Sequence, residues 1–384
     1  MGYKMLFKGL GRESAHKLKY SALHSSLMRY VEGSVLTECG FIDGYVGFEA
    51  GVIKEVGRGR VDSPLAKGII LPTLVNSHTH LADHIVPIDL TLSLEETVAP
   101  PSGLKHRILR KTPSEVLVRS MRMLSRYMFR RGTSRFIDFR EGGVEGARQL
   151  SSLGEDRCRP VILGRPEDLD FDKEEMIQLL KAVDGVGLSS VSDWDFGTIA
   201  EVASLVRSKG KMFAIHASER VRENLDQILD LRPSFLVHMT MASHDDIATC
   251  AQEGVPIVVC PRSNLLFGKI PPLKEMIEAG VTLALGTDNA MFSVPDMFTE
   301  MEFAGRLLRC QGMRDVDHAV DMAVKNGRKI LNQKVAIGIK PDSPCDFMVV
   351  GSKNGDAVTD LVLRSAADDP KMICVGRKVW RVNR

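Results

Sequence analysis

Eight short apolar runs alternate with amphipathic stretches through this 384-residue chain, and no other sequence feature limits its fold as strongly. The runs are Ile69–His78, Ser134–Phe139, Pro160–Leu163, Gly185–Leu188, Met212–His216, Phe235–His238, Pro256–Val259 and Thr282–Leu285. Most are continuous and rich in Val, Ile, Leu or Phe, as strands buried on both faces of a parallel sheet are. Between them, Pro113–Arg131, Gly143–Leu153, Lys173–Val183, Phe196–Ser208, Arg220–Asp230, Ser243–Glu253 and Leu273–Ala279 read as helices. Thr112-Pro113-Ser114-Glu115 supplies a capping residue, a first-turn proline and an acid. Asp245 and Asp246 follow Ser243 where a helix dipole favours negative charge. The alternation predicts an α/β chain built as a (β/α)8 TIM-like barrel, with a doubly wound sheet as the rival.

The two ends of the chain read differently. Gly44 to Gly57 reads as two short strands around a glycine turn, and Cys345–Gly351 and Ile373–Val382 read as further strands. The expected organisation is a small β-sandwich domain composed of residues 1–66 and 336–384, beside a barrel of residues 67–335.

Composition narrows the partners. Lys plus Arg is 51 and Asp plus Glu is 49, so the formal charge is +2 and gives no electrostatic case for nucleic acid or an acidic membrane. The 44% apolar and 26% charged content is globular rather than disordered. No apolar stretch approaches the roughly 18 residues of a membrane helix. The start, Met1 to Tyr20, has no signal-peptide core, and Leu6 stands where a myristoylation signal needs Ser or Thr. Seven cysteines without a C-x-x-C argue against a disulfide framework or a cysteine zinc site, and so for the reducing cytoplasm.

The chemistry gathers at strand ends. His78-Thr79-His80 closes the first run, and a period of two points both imidazoles to one side, where they suit a borderline divalent metal. His216 ends the fifth run, His238 ends the sixth, and Asp288 follows the eighth. In a barrel these are the C-terminal strand ends, the face that carries chemistry. Glu219 lies three residues past His216, within reach of a substrate or simply in a first helical turn. Arg140, Arg165 and Arg262 are candidate anion contacts near strand ends.

With these residues in view the chain resembles the amidohydrolase superfamily, in its mononuclear, cytosine-deaminase-like branch. That branch holds adenosylhomocysteine- and nucleoside-deaminase-like and chlorohydrolase-related members. The resemblance rests on Ile70 to Leu81, on His216-Ala217-Ser218-Glu219, on Cys260-Pro261-Arg262-Ser263-Asn264, on Gly286-Thr287-Asp288-Asn289 and on Gly338 to Asp346. It implies that His78, His80, His216 and Asp288 hold one divalent ion, Zn2+ or Fe2+. It implies that His238 contacts the nucleophilic water or a substrate atom, with Asp288 sharing that catalytic task. Glu219 would shuttle protons, and Ser263 and Asn264 would line the pocket. Runs three and four end Gly164-Arg165 and Ser189-Ser190, without the lysine that bridges two metals in binuclear relatives. Residues 91–107, including Pro100-Pro101, stand where many relatives carry a substrate lid.

The implied activity is hydrolytic deamination of a small-molecule amino-heterocycle of purine nucleoside or base type, releasing ammonia. Ring opening of a cyclic amide or dehalogenation would use the same site. A non-catalytic barrel would show eroded ligands, and none of the ligands is missing. A homo-oligomer is compatible with the sequence.

Overall fold

A computed structural model describes residues 18–22, 27–154, 157–167, 169–331, 338–353 and 355–382. The stretch read for leader signals, up to residue 17, lies outside them. The chain divides into two compact units, Met1–Thr73 with Arg130–Gly132 and Lys334–Arg384, and Leu74–Phe129 with Thr133–Gln333.

The first unit is one hydrogen-bonded eight-stranded sheet, in which Phe48 and Phe347, from strands that are not neighbours, meet at 5.3 Å. Its order is Leu18–Ala22, Lys378–Val382, Met372–Val375, Asp346–Val350, Lys67–Pro72, Arg29–Thr37, Gly40–Glu49, Val52–Arg58. All pairs are antiparallel except Arg29–Thr37 with Lys67–Pro72. Val35, Phe48, Ile70, Phe347, Met372 and Val379 come from both chain ends into one buried cluster. That cluster supplies the apolar burial a single sheet needs to be stable. The glycine turn forms at Ala50-Gly51, both with positive φ, as a tight hairpin between right-twisted strands requires.

The second unit is a curled parallel sheet with helices between its strands. We number its main strands β1 (Leu74–His80), β2 (Thr133–Arg140), β3 (Arg159–Gly164), β4 (Gly185–Leu188), β5 (Met212–Ala217), β6 (Phe235–His238), β7 (Ile257–Val259) and β8 (Leu283–Leu285). They pair in sequence order. A two-residue strand, Asp288–Asn289, then pairs in parallel with β1, Asp288 opposite Thr79 and Asn289 opposite His80. Between β8 and that strand, Asn76 and Thr287 clamp each other. Asn76 Nδ2 donates to Thr287 Oγ1 at 2.7 Å, and Thr287 N–H donates to Asn76 Oδ1 at 3.0 Å. Phe139, Leu163, Phe235, Val237, Val258 and Ala284 fill the sheet's interior.

Two expectations need correction. The run Ile69–His78 is two strands, because the chain leaves the first sheet after Pro72 and enters the second at Leu74. The helix expected over Arg220–Asp230 spans only Leu225–Asp230. Ser218 and Glu223 hold the residues before it in a loop. Ser218 N–H donates to Glu223 Oε2 at 2.8 Å, and Glu223 N–H donates to Ser218 Oγ at 3.1 Å. Asn224 then caps the helix, its side chain accepting from Gln227 N–H. Residues 91–107 are partly helical, with Leu94–Val98 and Leu104–Lys111 on either side of the proline pair.

Candidate active site

Parallel pairing of β1 with β2, and of Asp288–Asn289 with β1, brings the strand ends together. His78 and His80 lie on one side of β1. Thr79 turns the other way and donates to Asp138 Oδ2 at 2.8 Å. His78 Nε2 is 3.2 Å from His216 Nε2 and 3.2 Å from Asp288 Oδ1. His80 Nε2 is 3.4 Å from His216 Nε2 and 3.8 Å from Asp288 Oδ1. Gly286 passes so close that a Cβ there would stand 2.6 Å from the Cβ of His78.

The second nitrogen of His216 fixes its tautomer: Nδ1 donates to the Leu188 carbonyl at 2.7 Å, which leaves an Nε2 lone pair turned inward. His80 Nδ1 faces Glu141 Oε1 at 3.3 Å, a separation that places a carboxylate beside that nitrogen. Burial keeps all three imidazoles neutral near pH 7. It lowers His78, takes His80 to about 4 with help from the Lys105 ammonium, and holds His216 far below its usual value with help from its neighbour His78. Burial alone would raise Asp288, but the His78 hydrogen bond and the surrounding imidazoles hold its carboxyl well below the usual range.

Three imidazole Nε2 atoms and one carboxylate oxygen are crowded together, and nitrogens such as His80 Nε2 and His216 Nε2, 3.4 Å apart, repel one another unless a proton or a cation stands between them. Donors about 2.0–2.1 Å from one tetrahedral ion lie about 3.3–3.4 Å apart, close to the spacing here. The group therefore suits a divalent metal, and the Leu188 carbonyl on His216 Nδ1 is the kind of partner that orients a metal-binding histidine.

Around the donors stand the other expected residues. His238, 1% exposed, ends β6 with a positive φ. Its Nε2 is 3.5 Å from Glu219 Oε1, and its Nδ1 accepts from Asn264 Nδ2 at 3.2 Å. Burial and the nearby Asp288 charge raise Glu219 to about 8, so this carboxyl holds a proton at neutral pH. Ser263 Oγ donates to Asp288 Oδ2 at 2.5 Å. Ser263 and Asn264 sit on the short helix Pro261–Leu266, whose proline start leaves them facing Asp288 and His238. Ser218, His238, Met239 and Asp288 all have positive φ, a cluster of backbone strain of the kind found at functional sites.

His80, His216, Glu219, His238 and Asp288 line a cleft of about 690 Å³, part of it open to solvent, within the range of small-molecule sites. His78 and the two residues expected to line it, Ser263 and Asn264, are not among its lining residues. Leu94, Val98 and Pro100 from the 91–107 segment line it, with Val221 and Phe292 opposite the polar floor. Arg165 is also in the wall. Arg140 and Arg262 are not among the residues lining the cleft. Arg140, expected at the substrate, donates instead to the Gly146 carbonyl at 3.1 Å and to Gln149 Oε1 at 2.7 Å. Arg262 is held by Glu300 at 2.6 Å and by the Val294 carbonyl at 2.9 Å. Both guanidiniums are taken up by the protein.

One cluster has no counterpart in the sequence reading. Lys105, 3% exposed, donates to Glu141 Oε1 at 2.6 Å and to Asp83 Oδ2 at 3.0 Å, and Asn289 Nδ2 donates to the same Asp83 oxygen at 2.7 Å. These residues come from four separate segments, so no spacing announces them.

The curled parallel sheet thus carries histidines and an aspartate at its strand ends in a group that suits a divalent metal. Residues 69–369 match the amidohydrolase family. The chain is 32% identical over 346 residues to a putative aminohydrolase of Methanothermobacter thermautotrophicus, covering 83% of this chain and 89% of that one. It is 26% identical over 366 residues to a 5-methylthioadenosine/S-adenosylhomocysteine deaminase of Thermococcus onnurineus, covering 83% and 84%. Among solved structures, a zinc-bound adenosine deaminase of Xanthomonas campestris superposes with a TM-score of 0.73 at 17% identity, covering 91% and 92%. The protein belongs to the amidohydrolase family and is a hydrolase acting on carbon–nitrogen bonds other than peptide bonds. Among the described residues, no helix is long and apolar enough to cross a membrane.

Proposed function

We propose that the protein is a mononuclear metal-dependent deaminase that hydrolyses an amino-heterocycle of purine nucleoside or base type. In this reading the second unit is a (β/α)8 barrel, with Asp288–Asn289 continuing β8 onto β1, and the first unit is the composite β domain. His78, His80, His216 and Asp288 hold one Zn2+ or Fe2+, which polarises water so that hydroxide is available near neutral pH. The observation that carries the proposal is the convergence of three Nε2 atoms and Asp288 Oδ1, with Glu219 Oε1 3.5 Å from His238 Nε2 beside them.

Glu219 is the general acid and base. As a carboxylic acid it donates a proton to a ring nitrogen, which makes the amino-bearing carbon electrophilic. As a carboxylate it then takes one proton from the water and delivers it to the departing ammonia, and the second water proton, lost as the carbonyl forms, returns Glu219 to its acid form. His238, whose Nδ1 accepts from Asn264, carries its own proton on Nε2 and directs it toward the reacting oxygen. Asp288, steadied by Ser263, orients the water from the other side. The apolar wall from Leu94, Val98 and Phe292 suits a flat heterocycle, and the likeness to a 5-methylthioadenosine/S-adenosylhomocysteine deaminase over most of both chains supports the purine reading.

The test is ammonia release from bases, nucleosides and adenosyl thioethers by metal-reconstituted protein. We expect release from a purine-type substrate. Glu219→Gln should slow it by about 10²–10⁴-fold while metal content stays at one per chain. Chloride release from a halogenated heterocycle, with no ammonia from the panel, would replace deamination by dehalogenation.

A further inference from the structure

The mechanism above makes no use of Lys105, a buried cation in the wall of the cleft. It stands on the helix Leu104–Lys111, in the same segment that supplies the apolar wall. Its ammonium reaches down to Glu141 at 2.6 Å and Asp83 at 3.0 Å. Glu141 follows directly on β2 and faces His80 Nδ1 at 3.3 Å. His80 in turn directs Nε2 at the donor group. A chain of three contacts thus runs from the cleft wall to one arm of the candidate metal site.

We propose that Lys105 is a positioning residue for His80, holding Glu141 where its carboxylate receives the His80 Nδ1 proton. The proposal rests on the metal-site reading given above. A carboxylate that orients a ligand histidine must itself be held, because a free carboxylate has several rotamers and only one meets the ring. Lys105 gives Glu141 its shortest contact, whereas Arg165 Nη2 stands 3.7 Å away. Asp83 keeps the ammonium from following Glu141 out of line, and Asn289 Nδ2 fixes Asp83 at 2.7 Å. Asp83, Lys105 and Glu141 are each nine-tenths buried or more, so water does not replace these contacts. The cleft wall and the metal arm are therefore one assembly: when the segment carrying Lys105 is seated, His80 is aimed.

The full chain reconstituted with one equivalent of Co2+ tests this, because the visible absorption of Co2+ reports the geometry of its ligands. Lys105→Met should shift the Co2+ band and weaken Co2+ affinity by about 10–100-fold, the usual cost of losing a partner behind a ligand. Glu141→Gln should give the same shift, and the double variant should be no worse than Glu141→Gln alone. In Lys105→Ala, ethylammonium chloride should restore the band, and tetramethylammonium, which has no N–H, should not. The Lys105→Ala arm stands on its own where Lys105→Met fails to fold. A wild-type band and affinity in Lys105→Met, or additive losses in the double variant, would overturn the role of Lys105. Wild-type protein that binds no Co2+ would overturn the metal site itself, and His216→Ala separates the two cases because it should abolish binding with Lys105 intact.

Discussion

The two ends of the parallel sheet are built from the same strands and are chemically opposite. At the C-terminal ends stand His78, His80, His216, His238 and Asp288, buried and held neutral or ionised by one another. At the N-terminal ends stand Arg159, Lys181, Lys211 and Lys329 around a polar hollow. Among the described residues of this unit, five that are not glycine have positive φ, and all but Arg232 belong to the first end. Strain and desolvated polar groups each cost about 1–3 kcal/mol. A fold that concentrates them at one end spends its stability where chemistry is done, and the interior packing of Phe139, Leu163 and Phe235 has to offset it.

The contrast breaks most sharply at His78. His78→Ala should lose the metal and all turnover, read by metal analysis of dialysed protein, while denaturant stability of the metal-free protein stays the same or rises. Retention of one ion per chain would sink the assignment of this end. Asn264→Ala removes the donor that fixes the His238 tautomer. It should cut kcat/KM about 10–100-fold with the metal still bound.

A smaller effect lies beside the site, on the helix after β6. Arg222 grips Asp246 at 2.7 and 2.8 Å, and this hydrogen bonding lowers the Asp246 carboxyl below its usual value despite partial burial. A lowered folded-state value means that the stabilisation is present above the unfolded value of about 3.9 and is lost as pH falls through the folded one. The urea midpoint of Asp246→Asn should therefore trail wild type most at about pH 6, and the gap should close in stronger acid. A gap that widened in acid would reverse the sign. The smallest effect belongs to the far end. Lys211 Nζ donates to the Val183 carbonyl at 2.5 Å, so Lys211→Met should cost about 1 kcal/mol and leave kcat unchanged.

Much of the active end was legible because its residues sit at fixed offsets from apolar runs. His78 and His80 share a face by the period of two, and His216, His238 and Asp288 each close or follow a run. What the sequence concealed has physical reasons. Pro72-Thr73 interrupts an apolar run without changing its composition, so two strands of two sheets read as one, although a proline inside a strand was the available signal. Asp83, Lys105 and Glu141 meet only through tertiary folding, and a lysine in a polar segment looks solvated until its partners are in place. Arg140 sits at a strand end as expected, but its carbonyl and amide partners arise from the helix Gly143–Ser151, whose loop turns the guanidinium away from the cleft. The helix Met297–Cys310 has a clear cap in Asp296, yet it lies beyond the last alternation that the eight runs define.

Gly286 carries a consequence for how this chain can vary. Its missing side chain leaves the space into which His78 fits, with the Cβ, backbone nitrogen and carbonyl oxygen of His78 all within 3.0 Å of where a methyl group would stand. A single base change turns any glycine codon into one for alanine. Such a change would touch none of the proposed ligands, yet it would wedge β1 from the segment that carries Asp288 and open the proposed ligand set along the seam. Inheritance of activity in this lineage thus depends on a position that contributes no chemical group at all, and a search confined to ligand residues would count the damaged gene as intact.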